Sequence, residues 1–289
     1  MNVILKLNTM KLQYDLLPLM GIKYLVNEKF FDKWTPIMAY VLGFIYADGS
    51  LEDASYLRGK YIRICSVEKG IILRIKKWLD SEHTITKSFS AWPNGKPVYM
   101  LRIGSHKLYY SLTKIGLYPN KSLTITFPQN VPEKYFNDFI RGYFDGDGCV
   151  YLEMAKGERQ RYIVKKLSII FTSGSKKFLE GMNDVIKGAI DIRQDKVYKS
   201  HRSYQLRYST ADTIKLFKFL YKKVGPELYF KRKIKVFLKY FLLRKIKVDF
   251  EVQKILKDLK LWPGGEVANT AVCKTATRGC KSHPGLQDE

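Results

Sequence analysis

The sequence predicts an α+β protein made of two similar halves, and three observations carry this prediction. A nine-residue segment occurs twice, at residues 41–49 and 140–148. Each copy is followed by the same order of strand-like and helix-like stretches. Some of these stretches also share residues, most clearly 99–103 and 204–208. We therefore expect each half to contain one antiparallel sheet backed by helices.

The repeated segment has the pattern of a helix that packs closely on a partner. Gly43 and Ala47 in the first copy, and Gly142 and Gly146 in the second, stand four residues apart. That spacing places both small residues on one helix face, where another backbone can approach. Each predicted helix ends in an aspartate that is followed by a C-capping glycine.

Packing of the two helices through these faces would bring Asp48 and Asp147 side by side at one end. Two carboxylates that close repel each other unless a proton or a cation lies between them. A divalent cation that prefers oxygen ligands, such as Mg²⁺, resolves the repulsion. One copy alone is better explained as a buried helix with a glycine cap, but its recurrence in one chain reverses that preference and favours a functional pair.

The first half is predicted to run helix, two strands, helix, two strands, helix. Thr35 and Pro36 form an N-cap and a first-turn proline, so the first motif helix runs from Pro36 to Asp48. After it we predict strands at 50–54 and 61–65, a helix over 66–79, strands at 84–89 and 98–103, and a helix over 105–116.

The second half repeats this order after a linker at 123–132. We predict strands at 149–154 and 162–172, a helix over 173–190, strands at 192–199 and 204–209, and helices over 211–224 and 227–243. The predicted domains are an N-terminal extension at 1–36, half-domains at 37–122 and 133–247, and a C-terminal extension at 248–289. From about residue 262 the periodicity is lost, which predicts disorder.

The composition points to a polyanionic partner. Lysine and arginine total 51 against 27 aspartate and glutamate, a net charge of +24. Solubility or a membrane surface could also use such charge, but its spread along strands argues against a membrane. The N-terminus shows no secretory signal and the four cysteines form no disulfide framework or zinc pattern. We expect a reducing compartment, the cytoplasm or an organellar matrix, and no secretion.

The two segments resemble the two motifs of a single-chain LAGLIDADG homing endonuclease, over about residues 24–245. The departures are Tyr46, at a position that is often acidic, and Ile140 and Arg141 in place of Leu-Ala. The resemblance implies two pseudo-symmetric αββαββα half-domains whose antiparallel sheets form a DNA-binding saddle. It also implies a monomer, free-standing or intron-encoded, that uses Mg²⁺ to cleave double-stranded DNA at a long asymmetric site.

The same resemblance extends the list of site residues around the two aspartates. Asp48 and Asp147 are the predicted metal ligands and catalytic groups, and the backbone carbonyls of Ala47 and Gly146 would complete the ligand shell. We expect Asp145 to point to another side of its helix, toward solvent or behind the ligands.

Basic residues that polarise water or offset phosphate charge are also implied. Lys121 fits this role in the first half, and Lys231 or Lys233 fits it in the second. Lysines are frequent in this sequence, so each of the three also fits an ordinary solvated charge.

Strand alternation predicts which side chains would face DNA. With the neighbouring apolar residues directed inward, arginine, lysine and glutamine side chains lie on the opposite face. Arginine and glutamine suit guanine and adenine edges, whereas lysine mainly meets phosphates. The predicted DNA-contacting residues are Arg63, Lys87, Arg102, Lys166, Arg193, Gln205 and Arg207, and Ser168 falls on the same face.

Two further functions fit parts of this pattern. An RNA-splicing maturase or a non-cleaving DNA-binding protein could use the same scaffold, but a binder has no use for two repelling carboxylates. A small-molecule hydrolase is disfavoured by the net charge and by the lack of any Ser-His or Cys-His constellation among four histidines.

Overall fold

The computed structural model describes residues 24–55, 59–89, 95–156, 162–194, 196–225, 227–244 and 248–262. Most of the N-terminal extension predicted at 1–36 lies outside these residues. The tail for which the sequence predicts disorder also lies outside them, apart from its first residue. No helix in the described part of the chain is long and apolar enough to cross a membrane.

The described elements alternate between helices and strands along the chain. In order they are α1 (Pro36–Asp48), β1 (Gly49–Ala54), β2 (Gly59–Ser66), α2 (Lys69–Trp78), β3 (Ile85–Ser88), β4 (Val98–Gly104), α3 (His106–Lys114), α4 (Phe136–Asp147), β5 (Gly148–Lys156), β6 (Tyr162–Ser173), α5 (Lys176–Ala189), β7 (Val197–Ser200), β8 (Ser203–Arg207), α6 (Thr210–Tyr221), α7 (Lys231–Leu243) and α8 (Phe250–Asp258). Short 3₁₀ helices lie at Lys121–Leu123 and Glu133–Tyr135.

The chain divides into two compact units. The first contains the described residues of 1–33 and 51–111, and the second contains those of 34–50 and 112–289. Helix α1 therefore belongs to the second unit, together with α4, although a complete sheet separates these two helices in the sequence. Both motif helices and both aspartates accordingly lie within one compact body.

The first unit is built on a four-stranded sheet in the order β1-β2-β4-β3. β2 and β4 are antiparallel, with Ile62 opposite Ile103 and Ile64 opposite Leu101. These four side chains are almost completely buried. Helix α2 packs on both strands, so one face of the sheet contributes to the core and the other carries the alternate side chains.

The second unit contains another four-stranded sheet, in the order β5-β6-β8-β7. Leu167, Ile169 and Phe171 of β6 are fully buried, and helices α5, α6 and α7 pack on this strand. Each sheet is antiparallel in its described pairings and flanked by helices, which confirms the predicted α+β class.

Helix α1 begins where its sequence predicts. The Thr35 hydroxyl accepts a hydrogen bond from the Met38 N–H at 3.1 Å, and Pro36 occupies the first turn. Residues 38–46 are all buried, so the helix lies inside its unit. A helix that is apolar on all sides is buried on all sides.

Some predicted boundaries were wrong for local reasons. The strand predicted at 192–199 is reduced to β7, because the Arg193 N–H donates to the Asp212 carboxylate at 3.3 Å and leaves the preceding residues in a loop. The helix predicted from 227 begins at Lys231. Helix α8 was not predicted, although Asp249 caps it by accepting from the Glu251 N–H at 2.8 Å.

Candidate functional site

Helices α1 and α4 lie against each other backbone to backbone. A Cβ atom added to Gly43 would lie 2.0 Å from the Phe139 carbonyl oxygen, and one added to Gly142 would lie 2.0 Å from the Tyr40 carbonyl oxygen. No side chain fits at either position without moving a helix. The predicted close approach through small residues is therefore confirmed, and it is reciprocal.

The contact continues to the carboxyl ends of both helices. A Cβ atom on Gly146 would lie 2.4 Å from the Cβ of Ala47 and 3.4 Å from Oδ2 of Asp48. Asp48 therefore lies against the last turn of α4, whose final residue is Asp147. The structure brings together the four residues predicted to form the metal site.

The glycines that follow the aspartates cap the helices as predicted, but without a left-handed backbone conformation. Gly49 and Gly148 are the C-cap residues, but their φ angles of −107° and −91° are extended rather than left-handed. Their glycine identity reflects space instead. A Cβ would lie 2.7 Å from the Ile45 carbonyl oxygen at Gly49 and 2.5 Å from the Phe144 carbonyl oxygen at Gly148.

The aspartate pair lies at the surface end of the two helices, where Asp48 is half-buried and Asp147 is exposed. The pKa of Asp48 is raised to about 7, mainly by desolvation and also by the charge of Asp147, while nearby cations act in the opposite direction. Desolvation also raises the pKa of Asp147, while Lys121 and Lys233 oppose that rise. Two carboxylates in this position favour a bound proton or cation, as the sequence predicts.

Lys121 lies at the end of α1. Its buried ammonium donates to the Tyr46 carbonyl at 2.7 Å, and burial lowers its pKa while the charges of Asp147 and Asp48 oppose that fall. The lysine opens the 3₁₀ helix that follows Asn120, whose φ of 57° turns the chain. It thereby caps one motif helix and places a cation beside both aspartates.

Lys233 has the corresponding position at the end of α4. Its ammonium donates to the carbonyls of Phe144, Asp145 at 3.0 Å and Gly148 at 2.7 Å. Burial lowers the pKa of Lys233 to about 8. Lys231 is exposed in the first turn of α7, so of the two predicted alternatives the structure places Lys233 at this helix end.

Of the two positions expected for Asp145, toward solvent or behind the ligands, the structure shows the second. Its side chain is buried, and Oδ2 accepts a hydrogen bond from the Tyr40 hydroxyl at 2.7 Å. Oδ1 has no hydrogen-bond partner among the described residues. Burial raises the pKa of this carboxyl. The residue therefore links α4 to α1 behind the aspartate pair.

The sequence analysis missed one buried cation. Arg141 is fully buried and donates to the carbonyls of Leu228 and Leu220, each at 2.7 Å, and to the Asp138 carboxylate. The sequence did contain a sign of this buried cation, because Arg141 replaces a small residue of the family motif. This arginine ties α4 to the residues around α6 and the start of α7.

The oxygen ligands at this site fit a hard divalent cation that takes only a few of its ligands from the protein. The described residues contain no cluster of three or more histidine, cysteine, aspartate or glutamate side chains. Asp48 and Asp147 therefore offer two carboxylates, with the carbonyls of Ala47 and Gly146 in the same helix ends. Mg²⁺ is usually bound by one or two carboxylates, waters and substrate phosphates, and this set suits it.

The predicted DNA-contacting residues of the first unit are exposed on the sheet. Arg63 and Arg102 both pair with Glu52, at 3.2 and 2.8 Å. The Arg102 guanidinium also lies 3.5 Å from the centre of the Tyr61 ring. Lys87 is exposed on β3. The outward direction of these side chains agrees with strand alternation.

The predictions for the second unit are mixed. Lys166 and Arg207 are exposed on the strands, and Arg207 donates to the Gln205 side chain at 2.8 Å. Arg193 is exposed but lies in the loop before β7, not on a strand. Ser168 was expected to face outward, but only 3% of it is exposed.

The comparisons with known proteins agree with this architecture. Residues 136–220 match the family model of a LAGLIDADG-like domain. This match begins with α4 and ends in α6, so it covers the second motif helix and its sheet. Over residues 136–220 the comparison agrees with the resemblance that the sequence suggested.

The search of solved structures finds meganucleases at low sequence identity. A mutant of I-SmaMI is 14% identical, with 78% of this chain and 97% of that chain covered and a TM-score of 0.50. I-AabMI bound to uncleaved DNA is 15% identical over 78% and 97%, with a TM-score of 0.46. I-DmoI in complex with DNA and Mn is 19% identical over 66% and 98%, with a TM-score of 0.44.

A curated relative is the reverse gyrase of Methanocaldococcus jannaschii. It is 28% identical over 167 residues, which are 58% of this chain but 9% of that protein. The chain therefore corresponds to a small part of this relative.

Proposed function

We propose that this protein is a site-specific double-strand DNA endonuclease that hydrolyses phosphodiester bonds with Mg²⁺. The observation that carries the proposal is the position of Asp48 and Asp147. Two interlocked helices bring these carboxylates to one end, where Lys121 donates to a carbonyl at the end of α1 and Lys233 to carbonyls at the end of α4. A protein that only bound DNA would gain nothing from holding two like charges side by side.

In this proposal Asp48 and Asp147 hold the cation, with the carbonyls of Ala47 and Gly146 as further oxygen ligands. Bound Mg²⁺ supplies a Lewis acid that activates water and stabilises charge on the leaving oxygen. The two carboxylates fix its position, because helix packing leaves the aspartates little freedom.

Lys121 and Lys233 act as fixed positive charges toward the scissile phosphates. The three hydrogen bonds of Lys233 to backbone carbonyls saturate its ammonium donors. It is therefore suited to orient the helix end and to stabilise negative charge, and not to deliver a proton. Lys121 has the corresponding electrostatic role at α1.

We propose double-stranded DNA as the partner and a monomer as the active form. The net charge of +24 supplies the phosphate-directed attraction, and exposed Arg63, Arg102, Lys166 and Arg207 offer contacts from two different sheets. The sheets carry different side chains, so the proposed target is asymmetric. One chain contains both aspartates, so no second copy is needed to complete the pair. We propose an intracellular location, where the cysteines stay reduced.

The test is cleavage of a randomised duplex library by the wild type, Asp48→Asn and Asp147→Asn in the presence of Mg²⁺. We expect specific double-strand cleavage by the wild type and a loss of at least about 10³-fold in each variant. Asp191→Asn, an exposed acid paired only at the surface with Lys215, is the matched control and should cleave normally. Cleavage that survives both substitutions would place the chemistry elsewhere, and binding without cleavage would favour the non-cleaving alternative.

A further inference from the structure

A cavity of about 550 Å³ opens in the second unit next to the segment that carries Lys121. Its walls come from Leu123 and Thr124, from the first turn of α5, and from the β7–β8 hairpin. The predicted site residues of the sequence analysis do not include any of these wall residues.

The described lining of the cavity is positively charged. Its basic lining residues are Lys176, Lys177, Lys199, His201 and Arg202, and no aspartate or glutamate among the described residues lines it. Lys176 pairs with Glu180, whose side chain does not line the cavity. Within the described ranges no carboxylate pairs with Lys177, Lys199 or Arg202.

A second, larger cleft shows that this charge pattern is not simply a consequence of a lysine-rich sequence. The cleft measures about 940 Å³ and also has several lysines in its lining, but aspartate and glutamate residues line it as well, and three of its lysines form ion pairs. Its ion pairs are Lys215–Asp191, Lys218–Asp249 and Lys222–Glu251. The positive charge of the smaller cavity is therefore available to an external anion.

The walls of the smaller cavity are well fixed. The Ser203 hydroxyl donates to the Ser200 carbonyl at 3.0 Å and closes the hairpin. His201 has a φ of 47°, a left-handed conformation for which such a turn normally uses glycine or asparagine. Gly174, before α5, lies so close to the Lys121 segment that a Cβ would be 2.4 Å from the Ser122 carbonyl oxygen. The cavity wall and the segment that carries Lys121 are therefore in direct contact.

We propose that this cavity is a clamp for internucleotide phosphates of the DNA strand that enters the aspartate site. The inference deepens the proposed function and rests on it. A volume of 550 Å³ is far larger than the share of one water, about 30 Å³, and holds a phosphate with its adjoining sugars. Lysine and arginine bind phosphate oxygens without reading bases, so the clamp positions the strand and does not select its sequence.

The test compares two triple variants that lose the same charge. The clamp variant loses three positive charges of the cavity, by Lys177→Ala/Lys199→Ala/Arg202→Ala. The control variant loses three ion-paired lysines of the larger cleft, by Lys215→Ala/Lys218→Ala/Lys222→Ala. Binding to a duplex is measured over a series of salt concentrations. For the clamp variant we expect the affinity for DNA to fall by roughly tenfold or more. The slope of log affinity against log salt concentration should become less steep by about two to three. The loss should be the same for unrelated duplex sequences, and the control should keep the wild-type slope.

Three results would overturn the clamp. If both triple variants weaken equally, the effect is one of net charge alone. If the clamp variant binds DNA like the wild type, and inorganic phosphate raises the melting temperature of the wild type but not of this variant, the cavity binds a free anion. If the wild type itself does not bind duplex DNA, the proposed function fails together with the clamp. Circular dichroism and melting curves verify that each variant is folded.

Discussion

Replacing Gly43 with alanine adds one methyl group at the point where α1 lies against α4. The new Cβ would be 2.0 Å from the Phe139 carbonyl oxygen and 2.9 Å from both the Phe139 carbonyl carbon and the Tyr143 nitrogen. Non-bonded heavy atoms normally lie about 3.5 Å apart, so the helices must separate by roughly 1.5 Å. Because the obstructing atoms belong to the backbone, no side chain can rotate away to relieve the clash.

The free energy of this change follows from two opposing effects. Overpacking a tight interface costs about 1–3 kcal/mol, and a rigid backbone contact belongs at the upper end of that range. Alanine regains about 1 kcal/mol over glycine in a helix. We therefore expect a net loss of about 2 kcal/mol. Separation of the helices should also move Asp48 away from Asp147 and abolish most of the proposed cleavage.

Thermal unfolding measures this prediction, with Gly188→Ala as the matched control. Gly188 lies in α5, and a Cβ there would meet nothing within 4 Å, so that variant should gain about 1 kcal/mol. For Gly43→Ala the melting temperature should fall by about 4–8 °C. A Gly43→Ala protein that is as stable and as active as the wild type would refute the interlocked packing.

Three other changes probe the buried charges. Lys233→Met should lower the free energy of unfolding by about 1–3 kcal/mol because three carbonyls lose their donor. Lys231→Met should change the free energy of unfolding by no more than about 0.5 kcal/mol, and urea titration measures both variants. In metal-free protein, the folded pKa of Asp48, about 7, exceeds the unfolded value of about 3.9. Asp48 therefore makes its full contribution to the free energy of unfolding below about pH 4, and this contribution falls by up to about 4 kcal/mol as the pH rises through 7. Urea unfolding in EDTA at several pH values should show this fall, and Asp48→Asn should reduce it. Arg141→Met should cost about 3–5 kcal/mol by leaving Asp138 buried and uncompensated, and calorimetry should show partial recovery when Asp138→Asn is added.

The sequence predicts the fold class and the centre of the site well because both depend on local patterns. The i and i+4 spacing of Gly43 and Ala47 determines which helix face is smooth, and that face determines where Asp48 lies. Strand alternation likewise places Arg63 and Arg102 on the outer face of their sheet. In each case the decisive residues lie within one turn or one strand.

Features that depend on distant residues could not be predicted in the same way. The burial of Asp145 depends on Tyr40, which lies 105 residues away in the chain. The choice of Lys233 over Lys231 depends on how α7 packs against α4. The charged cavity is assembled from three separate segments, none of which has a distinctive motif. The extended conformation of Gly49 and Gly148 reflects contacts of the following strand, which the helix pattern does not encode.

A double-mutant cycle on cation binding tests most directly whether Asp48 and Asp147 form one site. The quantity measured is the rise in melting temperature on addition of Mg²⁺ at pH 8, for the wild type, Asp48→Asn, Asp147→Asn and the double variant. Shared ligation predicts that either single substitution removes most of the rise and that the second adds little, a strong coupling. Additive effects of the two substitutions, or a rise that persists in the double variant, would contradict a shared centre.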